Sequence, residues 1–214
     1  MATAIWSLQE SFLAILQSLA DKEQAVISRR IGLSWQRETL QEIGNDYKIT
    51  RERVRQIEEV GIKKIGRIVK STPLSRIQEI GKEIISLHGW LMTRDRLVNA
   101  ILKEMNLGST FTVNIIDVLL QSDFNLQKSK PQLGTRTYFH LPEINKKLVD
   151  TIHREAVKIL KKKGDIIENT VLYENIKIGV FPFFGKVETV LIDSVVDVFL
   201  DIVKGEEKFV GLEK

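Results

Sequence analysis

Residues 39–65, TLQEIGNDYKITRERVRQIEEVGIKKI, constrain this chain more than any other stretch. Thr39 and Glu42 stand three positions apart, the spacing of a capping box that starts a short helix. Residues 44–49 read as a turn, and Thr50 is a good cap for a long helix. Within that helix Val54, Ile57, Gly61 and Ile65 recur at i, i+3, i+7 and i+11, so one stripe faces a core. The opposite stripe is polar and long-armed. Arg51 and Arg55 are one turn apart, as are Glu52 and Gln56, which gathers four side chains able to bond base edges near the helix N-terminus. Arg53 occupies the third helical position, where a full capping box has Glu or Gln, so the long helix starts from Thr50 alone.

Upstream, Ile5, Leu8, Phe12, Ile15, Leu16 and Leu19 repeat at helical spacing over residues 4–19 and predict an amphipathic first helix. A second helix, with Asp21 as its cap, runs through Val26 and Ile27 and stops near Gly32, and residues 34–38 form a polar loop holding Trp35 and Arg37. The whole is the frame of a DNA-reading helix-turn-helix. Charge agrees with it. Residues 1–70 carry 12 Lys and Arg against 9 Asp and Glu, residues 71–145 carry 8 against 7, and residues 146–214 carry 12 against 12, so most of the net +4 sits around the long helix. The chain has no cysteine, which excludes disulfide, zinc-thiolate and thiol chemistry. No apolar run has membrane-spanning length and no signal peptide is read at the N-terminus, so a cytoplasmic protein without membrane contact is expected.

The runs LADKEQAVISRRIGL, TLQEIG and ITRERVRQIEEVGIKKI resemble region four of bacterial primary sigma factors, the helix-turn-helix domain that recognises the upstream promoter element. The resemblance covers residues 12–67. It implies that Arg51, Glu52 and Gln56 meet bases, and that Arg55, Arg53, Thr39 and Lys22 lie near phosphates. With the residue chemistry added, the candidate base-contacting set is Arg51, Glu52, Arg55 and Gln56. The candidate phosphate-contacting set is Lys22, Arg37, Thr39, Thr50 and Arg53. The chain departs from the family at three points. Nothing resembles the sigma regions that bind the polymerase clamp and melt promoters, and little room precedes residue 12, so a full sigma factor is not expected. Gly61 stands where the family usually has Ala, at a cost of about 1 kcal/mol in helix propensity, implying a softer or a closely packed helix. Ser34-Trp35-Gln36 is unusual for its loop.

After Lys70, Ser71-Thr72-Pro73 breaks the helix and is read as a domain boundary. Beyond it one pattern occurs twice, with an offset of about 70–76 residues. Each copy has a long helix ending at a Gly step (Gly89, Gly164), a second helix, a helix containing Ile-Asp-Val or Ile-Asp-Ser, and an apolar hairpin. In the first hairpin Phe124 and Leu126 are matched with residues 138–141, and in the second Leu200, Ile202 and Val203 with residues 209–212. This order is that of a winged helix. More weakly, the copies resemble the winged-helix (HARE-like) domains of the polymerase delta subunit and of restriction-associated proteins. The expected architecture is mainly α, with a helix-turn-helix domain over residues 1–70 and winged-helix α+β domains over 74–143 and 144–214.

Other features read more plainly. Lys161-Lys162-Lys163 fit a helix C-terminus, where cations complement the dipole. Asp193, Asp197 and Asp201, at i, i+4 and i+8, would form an acidic row that repels DNA, so that the second copy binds protein or nothing. His88, His140 and His153 show no ligand spacing and no nearby carboxylate motif, and Glu206-Glu207-Lys208 fit a turn better than a nuclease site. With no phosphate-binding glycine loop, nucleophile triad or metal cluster, neither catalysis nor a cofactor or metal is expected. The expectation is a sequence-specific transcription regulator that binds double-stranded DNA. RNA polymerase, through its flap, is a further partner implied by the resemblance, and a homodimer is compatible with it. The alternative is a DNA-binding or docking module of a restriction or defence system.

Overall fold

The computed structural model describes residues 2–33, 36–107, 111–164, 166–205 and 209–213, with side chains from residue 8 onward. Ten helices and six short strands are found among them, a mainly α fold. The chain forms two compact units, Met1–Gly81 with Val98–Phe124, and Lys82–Leu97 with Asn125–Lys214.

The first unit opens with α1 (Ala2–Gln17), α2 (Asp21–Ile31), α3 (Leu40–Tyr47) and α4 (Arg51–Val69). Asp21 is the first residue of α2 rather than its cap; Ala20 holds the cap position, and its N–H is taken by the Glu23 carboxylate at 3.3 Å. Gly32 ends α2 in the left-handed region at φ 70°, which lets the Gly32 and Leu33 amides close back on the last turn. Phe12, Ile15, Leu16 and Leu19 of α1 and its end are buried, as are Val26, Ile27 and Ile31 of α2 and Ile65 and Val69 of α4.

The helix break at residues 71–73 falls where the sequence puts it, but the first unit continues past it. Leu74 and Ile77, at the start of α5 (Ser75–Leu87), are buried in this unit. So is most of α7 (Val113–Ser122), which comes after α6 (Arg94–Glu104) and packs along the distal half of α4. The approach is close: a Cβ on Gly66 would lie 2.0 Å from the Ser122 carbonyl oxygen. Gln78, itself buried, donates to the Leu119 carbonyl at 2.9 Å and to the Ser122 hydroxyl at 3.0 Å, and so holds the end of α7. Asn114 ties its start to the Ile31 carbonyl at 3.0 Å.

The duplicated pattern is real in topology. The first copy comprises α5, β1 (Leu91–Thr93), α6, α7, β2 (Gln127–Lys128) and β3 (Tyr138–His140). The second comprises α8 (Lys146–Lys163), β4 (Ile167–Glu168), α9 (Asn169–Phe184), α10 (Thr189–Val198), β5 (Ile202–Lys204) and β6 (Phe209–Leu212). The two antiparallel sheets have the orders β1-β3-β2 and β4-β6-β5, the same arrangement repeated. Gly89 and Gly164 both adopt positive φ at equivalent steps. The second hairpin has the expected register, with Ile202 opposite Leu212 and Val203 opposite Gly211. The first is shifted: Gln127 and Lys128, rather than Phe124 and Leu126, face His140 and Phe139. Leu126 is buried, and Phe124 lies beneath the Lys70 ammonium at 5.2 Å from its ring centre. The second unit is built on one apolar cluster that includes Leu91, Ile152, Leu172, Ile176, Ile192, Val195 and Val210.

Candidate nucleic-acid interface

The interface is organised by a small apolar centre. Val26, Ile43 and Val54 are buried together, with Leu40, Ile49 and Ile57 around them, so α2, α3 and α4 are fixed by one residue or two from each. The Thr39–Glu42 box is present in full: the Glu42 amide donates to Thr39 Oγ1 at 3.2 Å and the Thr39 amide donates to the Glu42 carboxylate at 2.6 Å. Those bonds from Thr39 hold the Glu42 carboxyl below its usual range. The helix begun there runs on to Tyr47, into the segment expected to be turn. The turn is short because Lys48 takes a left-handed conformation at φ 53° and the Ile49 amide closes on the Gly44 carbonyl at 2.9 Å. Gly44 has no room for a side chain, since a Cβ would come within 2.8 Å of the Ile49 carbonyl.

Ion pairs brace this frame from behind. Arg29 bonds Glu38 at 2.7 Å and also Asp46, which raises its already high pKa. Arg30 bonds Glu58 at 2.9 Å with both side chains about four-fifths buried, and Lys64 bonds Glu23 at 2.7 Å. Gly61 is the contact point of α2 on α4: a Cβ there would meet Ile27 Cδ1 at 2.5 Å. The absent methyl reflects tight packing rather than a soft helix.

On the outer face, Arg51, Glu52, Arg55 and Gln56 are all exposed on the first turns of α4, as the spacing requires. They are not independent. Arg55 bonds Glu52 at 2.6 and 2.8 Å and also pairs with Glu59, so the Arg55 guanidinium is held charged while its hydrogen bonds keep the Glu52 carboxyl below the normal range. Arg53 donates to the Gln56 side-chain oxygen at 3.1 Å. Arg55 must therefore exchange carboxylates for DNA groups before it can contact either a base or a phosphate, whereas Arg51 makes no ion pair among the described residues. Replacing Glu59 with Gln removes one competitor and is expected to tighten duplex binding several-fold and steepen its salt dependence, readable by anisotropy at two salt concentrations.

The phosphate candidates divide. Lys22 of α2 and Arg53 of α4 line one small cleft with Val26, Tyr47, Ile49 and Ile57, so two cations from different helices stand together beside the start of α4. Thr50 is spent on capping, accepting from the Arg53 amide at 3.1 Å, and Thr39 on its capping box. Arg37 lies in the segment before α3. Sequence reasoning missed Lys48. It is exposed on the turn, close in sequence to Thr50 and Arg51, and its signal was positional: a cation at the left-handed residue between the two helices.

Two expectations for the second unit are corrected. The aspartate row is no repelling face. Asp193 bonds Lys204 at 2.7 Å and the Tyr173 hydroxyl at 2.7 Å, Asp197 bonds Arg96 at 2.9 Å, and Asp201 meets His153 Nε2 at 2.9 Å. Asp201 lies beyond the end of α10, and each charge is answered by a residue from another element, which no local spacing could reveal. His153 likewise has a carboxylate partner, and its ring stacks on Phe199 with centroids 3.6 Å apart. Lys161, Lys162 and Lys163 form the last turn of α8, as their position before Gly164 suggests. Ser34, Trp35 and the Glu206-Glu207-Lys208 turn lie outside the described residues. Among the described residues no His, Asp and Glu cluster suits a metal ion, and no helix is long and apolar enough to cross a membrane.

The comparisons with known proteins fall on this same frame. A stretch of 68 residues is 41% identical to RNA polymerase sigma factor SigA of Lactococcus lactis subsp. cremoris, covering 31% of this chain and 19% of that protein. SigA of Clostridium acetobutylicum is 39% identical over 74 residues, 34% of this chain and 20% of its own length. RpoD of Helicobacter pylori is 42% identical over 71 residues, 30% and 11% respectively. The chain thus spans about a fifth or less of the relatives it matches, and no solved structure matches it. Residues 15–66 match the family model described as Sigma-70, region 4, so the helices that carry Arg51, Glu52, Arg55 and Gln56 are a helix-turn-helix of that DNA-binding, transcription-related kind.

Proposed function

We propose that this protein is a transcription regulator that reads a specific duplex sequence with the first turns of α4. Arg51, Glu52, Arg55 and Gln56 face the base edges, and Lys22, Arg37, Thr39, Thr50 and Arg53, with Lys48 added, face the phosphates. The observation that carries this reading is the exposed stripe at the start of α4, set in a frame whose sequence matches region four. A bidentate arginine suits guanine and a carboxylate suits the cytosine amino group.

The winged-helix third helices offer no rival. α7 buries seven of its ten residues, and α10 buries six of ten while pairing its aspartates internally. Neither has an open face to lay in a groove. One reading helix covers little DNA, so a second contact is part of the proposal, and the RNA polymerase flap, met through the first helices, is the partner by likeness to the sigma factors.

Selection of bound duplexes from a random pool at two salt concentrations tests the reading. One motif should be enriched. Arg51→Ala should weaken binding to it by about 1–3 kcal/mol and relax its sequence preference, while Lys22→Ala should weaken all duplexes alike and lower the salt slope by about one unit. No enriched motif, with affinity indifferent to Arg51→Ala, would sink the proposal.

A further inference from the structure

The second unit carries a surface that the duplex reading leaves unused. Two grooves meet along the first turns of α8 and share Asp150. One runs beside the first hairpin and is lined by Lys130 and Lys146 among others. The other is lined by Lys147, Arg154, Phe183 and Phe184. Phe183 is 75% exposed, and Phe181, near it in sequence, is 63% exposed. Lys130, Lys146, Lys147 and Arg154 are all exposed as well. Among the described residues Asp150 is the one acid lining the two grooves, with Asp201 bonded to the lining His153, so cations outnumber acids here although the last 69 residues are balanced in charge.

Rings left standing in water beside a track of cations suit one polyanion better than another. The bases of a duplex are stacked on each other, so an exposed phenylalanine reaches their faces only at the cost of unstacking a step. Unpaired bases present open π-faces, and stacking on an aromatic side chain is sequence-tolerant, while the cations follow the backbone. A protein partner would favour the apolar stripe but not the four cations. We infer that this surface binds single-stranded nucleic acid, with Phe183 as the stacking platform and Lys146, Lys147, Arg154 and Lys130 as phosphate contacts. The site belongs to the second unit and α4 to the first, so it neither needs nor borrows the duplex reading.

The test is anisotropy of the full chain with a labelled oligo-dT of about 20 nucleotides, beside a random-sequence duplex of equal length, at low and moderate salt. Oligo-dT should bind. Phe183→Ala should weaken it about tenfold or more, and Lys147→Ala should weaken it and reduce the salt slope, both without affecting the duplex. Arg51→Ala, which addresses α4, should leave oligo-dT binding unchanged. Phe183 is largely in solvent, so its loss should not alter the melting temperature, which is checked alongside. Absence of oligo-dT binding at low salt overturns the inference. So does binding that ignores Phe183→Ala, since that is charge attraction alone. A concentration-dependent dimer abolished by Phe181→Asp, with no oligo-dT binding, would assign the apolar part of this surface to a second copy instead.

Discussion

Gly66→Ala should lower the stability of the first unit by about 3 kcal/mol, enough to bring its melting temperature down by roughly 12–24 °C for a unit of this size. The added methyl would stand 2.0 Å from the Ser122 carbonyl oxygen. That atom belongs to backbone, so it cannot turn aside as a side chain can. α7 must move away from α4, and the hydrogen bonds from Gln78 to Leu119 and Ser122 go with it. The better helix propensity of Ala returns only about 1 kcal/mol. Gly61→Ala is the internal control. Its obstacle is the terminal methyl of Ile27, which can rotate, so the propensity gain and the crowding should nearly cancel. Equal melting of Gly66→Ala and the parent protein would show that α7 does not seal the end of α4 as described.

Asp193→Ala should destabilise the second unit by about 2–3 kcal/mol, because it takes a bond from three groups at once, although Arg96 keeps its bond to Asp197. Lys204 and the Tyr173 hydroxyl each lose a 2.7 Å bond, and Arg96 loses a longer one at 3.4 Å. The figure is held below that of a fully enclosed pair because a third of the Asp193 side chain is in solvent. Burial opposes ionisation of Asp193, but the bonds from Lys204 and Tyr173 prevail and hold its carboxyl below the usual value. A depressed carboxylate contributes stability that is full above its unfolded pKa, about 4, and is lost as pH falls through the lower folded value. Acid unfolding followed by circular dichroism should therefore show a shallower loss for Asp193→Asn than for the parent protein. Identical acid limbs would place the stabilising charge elsewhere.

The helix-turn-helix was legible because its determinants are local. A capping box, a threonine cap and a stripe at i, i+3 and i+7 lie within residues 39–65 and need no partner to be recognised. The repeat was legible for the same reason, as an order of elements with glycine steps. What escaped involves residues far apart in the chain. The aspartates of α10 look like an open acidic face until Arg96, Tyr173 and Lys204 are brought to them. Gly61 reads in the sequence as either a soft or a closely packed point, and only Ile27 laid across it decides for packing. On the outer face of α4 the exposure of Arg51, Glu52, Arg55 and Gln56 was legible, but not the bonds from Arg55 to Glu52 and Glu59 that occupy it.

The packing of α7 against α4 also bears on how such a chain can change over generations. Cutting at Pro73 looks safe in the sequence, yet it would remove α7 from α4, where Gly66 lies against the Ser122 carbonyl. Residues 1–70 moved without the segment ending near Phe124 would carry α4 with its distal half uncovered, so the head and that segment should travel together when such a chain is recombined.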